Sequence, residues 1–250
     1  MTQPPIIRRR DELRATVAVW KSAGARVGVV PTMGALHEGH LSLVRAARAG
    51  ADRVIVTLFV NPRQFNNAAD LAAYPRTEAE DVAKLAPFGV DMVYAPDPEE
   101  IYPEGFATTI SVSGVSEGLC GAFRPGHFDG VATVVAKLLN AVDPDAAYFG
   151  QKDAQQATVI RRMAEDLEFR TRIEILPTVR ERDGLAMSSR NAYLSPEARE
   201  RATAIWASLL ETESVFAEDG LDAAVDAGRR HLEMAGITPE YFEARYPGTL

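Results

Sequence analysis

The chain has 250 residues, of which 46% are hydrophobic and 25% charged, and its formal net charge at pH 7 is −8. This composition is typical of a globular protein with a substantial core, and the negative charge argues against nucleic acid as the main partner. No segment approaches the roughly 18 apolar residues of a membrane span, and residues 1–10 are not followed by a signal-peptide core, so we expect a cytoplasmic protein without a membrane partner. The single cysteine, Cys120, excludes an internal disulfide and is typical of a reducing compartment.

Short apolar runs alternate with segments of helical periodicity in the first part of the chain. The runs predict strands over residues 27–30, 54–59, 91–94, 146–149 and 173–176. The periodic segments predict helices over residues 41–49, 78–85, 131–139 and 154–167, and Thr77 and Glu80 have the spacing of a capping box. This alternation predicts an α/β fold, with a Rossmann-like parallel sheet, flanking helices and ligands at the carboxyl ends of the strands.

The pattern changes near Pro177 and is then mostly helical. Ser195 has the position of a helix cap, and the helix it opens is predicted to run to about Phe216. A second helix is predicted over residues 221–235 and a short strand over 241–245. We therefore predict two domains, a larger Rossmann-like α/β domain at 1–177 and a small, mostly helical α+β domain at 178–250.

The segment 31–40, PTMGALHEGH, is the most informative part of the sequence. It holds His37 and His40, two of the four histidines of the chain, between a predicted strand and a predicted helix. The N-terminus of a helix presents unpaired N–H groups to an anion, and the two imidazoles add side-chain donors. A metal site is an alternative, but the spacing is one residue shorter than in the zinc proteases, and no Cys or His cluster is nearby.

Three further polar segments follow strands or turns. Asn61 and Gln64 come directly after the second strand, and each is also compatible with a solvated turn. Residues 150–153, GQKD, follow the fourth strand, and their lysine suits a phosphate group. Residues 188–190, SSR, offer hydroxyls and a guanidinium to phosphate oxygens, although an exposed arginine in a loop is usually only solvated.

Together these segments predict a triphosphate site at one edge of the sheet. The chain has no Gly-x-x-x-x-Gly-Lys-Ser/Thr loop, so phosphate binding is not of the P-loop type. It also has no candidate set for covalent catalysis. Positioning and stabilisation of the charge that develops on the leaving group are therefore the expected sources of rate.

The sequence resembles the pantothenate synthetase family, also called pantoate–β-alanine ligase, over nearly its whole length. The motifs that carry the resemblance occur in the family's order at 31–40 (PTMGALHEGH), 59–65 (FVNPRQF), 74–77 (YPRT), 124–128 (RPGHF), 149–153 (FGQKD) and 188–191 (SSRN). The resemblance implies ATP-dependent condensation of (R)-pantoate with β-alanine through a pantoyl adenylate, with release of pyrophosphate and then AMP. The first motif alone indicates only the wider His-x-Gly-His nucleotidyltransferase superfamily.

The resemblance also implies roles for particular residues. The implied catalytic residues are His40, His37, Lys152 and Arg190. The implied ATP-binding residues are Met33, Gly34, Ala35, Leu36, His37, Glu38, Gly39, His40, Gly150, Gln151, Lys152, Asp153, Val179, Met187, Ser188, Ser189 and Arg190. The implied binders of pantoate and β-alanine are Gln64, Gln156, Asn61 and Tyr74.

The same resemblance implies ATP as a substrate, Mg²⁺ as a cofactor without a dedicated metal ligand in the protein, and a homodimer. Family members usually continue beyond the position of Thr249 and Leu250, so a shortened C-terminal domain is expected. Two rival functions are weighed against the synthetase: a nucleotidyl-transferring enzyme with another acceptor, and a nucleotide-binding module without turnover. The segment around Asn61 and Gln64 argues against the first, and the presence of His40, Lys152 and Arg190 argues against the second.

Overall fold

The computed structural model describes residues 2–248 and 250, so the expectations that involve Met1 and Thr249 lie outside the described residues. The strands are β1 (Ile6–Ile7), β2 (Val27–Thr32), β3 (Arg53–Leu58), β4 (Met92–Tyr94), β5 (Ala146–Gly150) and β6 (Arg172–Leu176). The α-helices are α1 (Arg10–Ser22), α2 (Glu38–Gly50), α3 (Ala68–Ala73), α4 (Glu78–Leu85), α5 (Pro98–Ile101), α6 (Cys120–Phe123), α7 (His127–Val142), α8 (Ala154–Asp166), α9 (Pro196–Arg201), α10 (Ala204–Asp219) and α11 (Leu221–Met234). No helix in this part of the chain is long and apolar enough to cross a membrane.

All strand pairs in the sheet are parallel, and the strand order is β1-β4-β3-β2-β5-β6. Val30 of β2 lies opposite Val56 of β3, and Val29 lies opposite Ala147 of β5. The chain builds the sheet outward from β2 to β3 and β4, then returns to place β5 on the other side of β2. The reversal between β2 and β5 is a topological switch point, where open α/β sheets form a crevice for ligands.

Helices cover both faces of the sheet, as the predicted α/β class requires. Side chains of adjacent residues on a strand point to opposite faces, so Val29 and Ile55 join one core cluster while Val30 and Val56 join the other. The first cluster is completed by α1, α7 and α8, and the second by α2 and α4. Because both faces are buried, the strands are nearly continuous apolar runs, as the sequence indicates.

The predicted strands and the helices of the first part of the chain are confirmed, with small shifts of their ends. The structure adds β1 and α1, which the sequence patterns did not predict. Helix α1 turns Leu13 and Val17 toward the sheet and leaves most of its surface exposed. The predicted capping box is wrong: the Thr77 hydroxyl makes no cap and instead donates to Asp81 Oδ2 at 3.1 Å.

Two predictions for the C-terminal part are wrong. The helix predicted from Ser195 to Phe216 is interrupted, because α9 ends at Arg201 and α10 begins at Ala204. Its start is confirmed, since Ser195 Oγ accepts a hydrogen bond from the Ala198 N–H at 3.2 Å. The strand predicted over 241–245 is absent from the described residues, and the Phe242 ring instead packs against Gly228 of α11.

Candidate active site

The candidate site lies at the switch point of the sheet. The segment 33–37 leaves the carboxyl end of β2 and leads into α2, while Gly150 ends β5 and leads into a single turn of 3₁₀-helix, Gln151–Asp153. The turn Pro62–Gln64 follows the end of β3 in the same way. The predicted placement of these segments at neighbouring strand ends is therefore confirmed by the sheet order.

Asp81 of α4 holds the loop that follows β2. Its carboxylate is buried and accepts hydrogen bonds from the N–H groups of Ala35 at 2.8 Å and Leu36 at 2.7 Å. Ala35 has a positive φ of 49°, a conformation that residues with a side chain adopt at some energetic expense. The two hydrogen bonds to a buried carboxylate offset that strain and set the path of the loop.

His37 and His40 are oriented by backbone N–H groups. His37 caps α2, and its Nδ1 accepts from the Gly39 N–H at 3.1 Å, while His40 Nδ1 accepts from the His37 N–H at 3.3 Å. A neutral imidazole that accepts at Nδ1 carries its proton on Nε2. The hydrogen bonds therefore assign both rings as Nε2–H donors, and the ring centroids lie only 4.1 Å apart.

The environment keeps both imidazoles neutral. Burial lowers the pKa of His40 from 6.5 to about 3, and the neighbouring His37, Lys152 and Lys84 act in the same direction. Burial, followed by Lys152 and Lys84, lowers the pKa of His37. The site consequently offers hydrogen-bond donors whose charge state is constant across neutral pH, and its mobile positive charge comes from lysine.

Lys152 lies close enough to both histidines to act on their pKa values, although it follows a different strand. Its side chain is 38% exposed, and its Nζ lies 3.2 Å from Asp153 Oδ1. The flanking residues Gly150 and Gln151 place it on the short turn that begins α8. A lysine so exposed can move onto an anion that enters the site.

Asn61 and Gln64 form a fixed pair beyond β3. The buried Asn61 donates from Nδ2 to Gln64 Oε1 and to Gly130 O, both at 3.0 Å. Its Oδ1 accepts from the Tyr102 hydroxyl at 2.8 Å and from the Arg63 N–H at 3.3 Å. These four contacts fill the hydrogen-bonding capacity of the Asn61 amide, so this residue orients Gln64.

Gln64 is directed toward the loop of the histidines. Its Nε2 lies 3.2 Å from Met33 Sδ, a weak acceptor, and one of its two amide protons remains for another partner. Its backbone oxygen accepts from His127 Nδ1 at 2.7 Å. Helix α7 approaches this turn closely at Gly130, where a Cβ atom would lie 2.3 Å from Arg63 O.

The segment 188–190 lies against the histidine loop from the C-terminal part of the chain. Ser189 Oγ donates to Ala35 O at 3.1 Å and lies near Tyr74, which is buried. Arg190 lies over the Tyr74 ring at 5.6 Å and pairs with Asp70 at 3.0 Å. Ser188 Oγ accepts the Arg190 N–H at 3.2 Å and so caps the turn, which leaves its hydroxyl proton for another acceptor.

Three further residues predicted to bind ATP, Val179, Met187 and Glu38, have different kinds of contact. Val179 O accepts from the Met187 N–H at 3.0 Å, and Met187 packs toward Gly39. Glu38 forms an ion pair with Arg45 along the exposed face of α2. The predicted nucleotide segments around residues 33–40 and 179–190 are thus brought together, but Glu38 already has a partner.

The structure distinguishes two adjacent glutamines on α8. Gln155 is buried, donates to Val115 O and Gly118 O, and accepts from the Cys120 N–H. Its amide therefore holds the segment before α6, whereas Gln156 is half-buried and remains the candidate for a ligand.

Cys120 is partly buried, and burial raises the pKa of its thiol, which disfavours the nucleophilic thiolate.

Sequence reasoning missed three supporting residues of the site: Asp81, Tyr102 and Gly130. Each contacts a predicted segment that lies 41 to 69 residues away in the chain. Each had only a weak sequence signal. Asp81 is an aspartate within a helical pattern, Tyr102 precedes a proline, and Gly130 lies near the start of a helix. Local patterns do not identify partners at such separations.

Comparison with known proteins assigns the family. The family model described as pantoate-β-alanine ligase matches residues 5–250. The chain belongs to the pantoate-β-alanine ligase family. The pantothenate synthetase of Chelativorans sp. (strain BNC1) is 62% identical over 245 residues, which cover 94% of this chain and 86% of the relative. That of Cereibacter sphaeroides (strain ATCC 17029 / ATH 2.4.9) is 59% identical over 244 residues, with coverage of 97% and 88%.

Solved structures of this ligase family share the fold. The pantothenate synthetase of Thermus thermophilus is 46% identical, with a TM-score of 0.92 over 98% of this chain and 88% of that chain. The pantoate-β-alanine ligase of Francisella tularensis, complexed with beta-gamma ATP and β-alanine, is 35% identical, with a TM-score of 0.80 over 91% and 86%. The Rossmann-like α/β fold and the assignment to a ligase family are thereby confirmed.

Proposed function

We propose that this ligase joins (R)-pantoate to β-alanine at the switch-point site, using ATP and a pantoyl adenylate intermediate. The pantoate carboxylate attacks the α-phosphorus of ATP, and the bond to pyrophosphate breaks. The amine of β-alanine then attacks the acyl carbon, loses a proton, and AMP leaves as the bond to the acyl group breaks. The observation that carries the proposal is that Lys152, the loop with His37 and His40, and the amide of Gln64 follow three neighbouring strands, β5, β2 and β3.

The nucleotide side of the site supports the first step. The N-terminus of α2 and the two Nε2–H donors suit the oxygens of a triphosphate without adding charge. Lys152 and Arg190 supply the positive charge that follows negative charge onto the leaving pyrophosphate. The other proposed ATP contacts are those expected from the family: Met33, Gly34, Ala35, Leu36, Glu38, Gly39, Gly150, Gln151, Asp153, Val179, Met187, Ser188 and Ser189.

The acceptor side supports selection of a small polar acid. Gln64 has an amide proton available and is held by Asn61, while Gln156 lies in the first turn of α8, which follows β5 on the other side of β2. We propose that these two glutamines hold pantoate, with Gln64 also reaching β-alanine, and that Tyr74 walls the pocket. Asn61, expected as a pocket residue, acts mainly through Gln64 because its own amide is filled.

A magnesium ion fits this site as a companion of ATP. Mg²⁺ is usually bound by one or two carboxylates together with substrate phosphates. The described residues contain no group of three or more His, Cys, Asp or Glu side chains placed for a metal. Asp153, 58% exposed beside Lys152, is the carboxylate we propose to hold it. When bound, Mg²⁺ neutralises charge on the phosphate oxygens.

The proposal is tested by following AMP and pyrophosphate with each substrate omitted in turn. We expect AMP only when pantoate and β-alanine are both present, and pantoate-dependent exchange of pyrophosphate into ATP without β-alanine. Exchange that proceeds with another acid but not with pantoate would indicate a different acceptor. ATP binding without either reaction would contradict catalysis and favour a nucleotide-binding module.

Three broader expectations belong to the same proposal. The family resemblance supports a homodimer and a cytoplasmic location, which sedimentation and cell fractionation test.

The division into a catalytic domain at 1–177 and a smaller domain at 178–250 agrees with the two core clusters, whose described members extend no further than Leu176. Limited proteolysis near residue 177 would test that boundary.

A further inference from the structure

A second pocket lies on the α1 and α7 side of the sheet and shares no lining residue with the proposed catalytic site. Its volume is about 150 Å³, and it is lined by Arg10, Arg14, Tyr94, Glu100, Ile101, Lys137, Asn140 and Ala141. These residues come from α1, β4, α5 and α7. Drug-sized ligands occupy cavities of about 300 Å³ or more, so this one suits only a small molecule or ion.

Two buried donors at this pocket have no hydrogen-bond partner among the described residues. Tyr94 is fully buried, yet its hydroxyl is unpaired, and the Nε of Arg10 is also buried and unpaired. The Oδ1 atom of Asp11 lies 3.9 Å from Arg10 Nε, which is beyond hydrogen-bond distance. Since an unsatisfied buried polar group is destabilising, two at one pocket indicate a ligand that bonds to them.

The charge of the pocket is positive, although the protein as a whole is acidic. Arg10, Arg14 and Lys137 all line it, and Lys137 is half-buried with its Nζ 4.5 Å from the centre of the Phe106 ring. The single carboxylate of the lining, Glu100, is already engaged. It pairs with Arg9 at 2.6 Å and accepts the Arg10 N–H at 2.9 Å.

We propose that this pocket is a binding site for a small tetrahedral oxyanion of the phosphate class. Tyr94, Arg10, Arg14 and Lys137 approach from three elements, so they present donors from several directions, as an ion with four oxygens requires. The bound anion would bring together α1, α7 and the end of β4. It would stabilise the folded chain by mass action, without taking part in the reaction.

The test uses inorganic phosphate as the probe and the full chain with Lys152→Met, which weakens phosphate binding at the catalytic site. Thermal unfolding and calorimetric titration are recorded in phosphate, and in acetate and chloride at equal ionic strength. We expect phosphate alone to raise the melting temperature. Adding Lys137→Met or Tyr94→Phe should weaken phosphate binding about tenfold, whereas Arg161→Met, which removes an exposed cation of α8, should leave it unchanged.

Each other outcome overturns the proposal. Equal effects of phosphate and chloride would mean that the pocket holds only water. Equal effects of phosphate and acetate would exclude selectivity for a tetrahedral ion. Undiminished phosphate binding in Tyr94→Phe, which preserves the shape of the core, would exclude this pocket even if Lys137→Met folded poorly.

Discussion

At the scale of single residues, the site depends on which nitrogen of each imidazole carries a proton. His37 and His40 both accept backbone N–H groups at Nδ1, so each presents an Nε2–H group, and burial keeps both rings uncharged. Neutral donors can bind a triphosphate without the electrostatic repulsion that two adjacent cations would have. Lys152 then supplies charge that can move with the leaving group.

We expect His40→Ala and Lys152→Ala each to reduce adenylate formation by about 10²- to 10³-fold, since each removes a donor to the charge that develops on the phosphates. Pantoate-dependent pyrophosphate exchange measures this step directly. His231→Ala, a change in the last turn of α11, serves as the matched histidine control. Near-normal exchange in either variant, with the control unaffected, would refute the role assigned to that residue.

At the scale of elements, the site consists of loops that are each held by a side chain from elsewhere. Asp81 of α4 fixes the loop after β2, and Asn61 fixes Gln64 after β3. Gly130 lets α7 approach the turn after β3. The strand order brings the loops to one place, but these supports decide their conformations.

We expect Asp81→Asn to reduce kcat/KM for ATP by at least about tenfold. An amide offers one acceptor oxygen, so the N–H groups of Ala35 and Leu36 cannot both keep their bonds, and the histidine loop loses its fixed path. The exposed Asp226→Asn is the matched control. Steady-state kinetics would contradict a positioning role if the pH profile and kcat/KM of Asp81→Asn matched those of the unchanged enzyme.

We expect Gly130→Ala to weaken pantoate binding while ATP binding stays nearly normal. The new methyl group would collide with the carbonyl of Arg63 and displace the turn that carries Gln64, but it does not touch the histidine loop. Gly118→Ala, where a Cβ meets nothing within 4 Å, controls for the substitution itself. Equal losses of pantoate and ATP binding would indicate a general defect in folding instead.

At the scale of the whole molecule, stability and pH are linked through the buried histidines. His40 titrates near 6.5 when unfolded, whereas burial lowers its folded pKa to about 3. Between these values the unfolded chain binds more protons than the folded chain. The free energy of unfolding must therefore decrease as pH falls from about 6.5 toward 3, and it keeps the full contribution above that window.

We expect the loss of stability between pH 7 and pH 5 to be smaller in His40→Gln than in the unchanged protein, because glutamine has no proton to take up. Urea unfolding at the two pH values measures the difference. The comparison is within each variant, so any constant effect of the substitution cancels. Identical losses in both proteins would show that His40 is not buried in its neutral form.

Much of this protein was determined by the sequence alone. Apolar runs and helical periodicity predicted the parallel α/β fold, since each strand and helix must bury a continuous face or stripe. Parallel strands then place their carboxyl ends at one edge, so the segments with His37, Gln64 and Lys152 were expected to meet. The family motifs indicated the reaction as well, because each motif is a short continuous run of residues that can be recognised from the sequence.

Only the tertiary structure decided how those segments are held. The tautomers of the histidines, the filled amide of Asn61 and the loop anchored by Asp81 all depend on contacts between groups in specific orientations. The use of Gln155 for structure rather than Gln156, and the interruption between α9 and α10, depend likewise on neighbours in space. Such contacts join residues far apart in the chain, where no periodicity or local propensity records the partner.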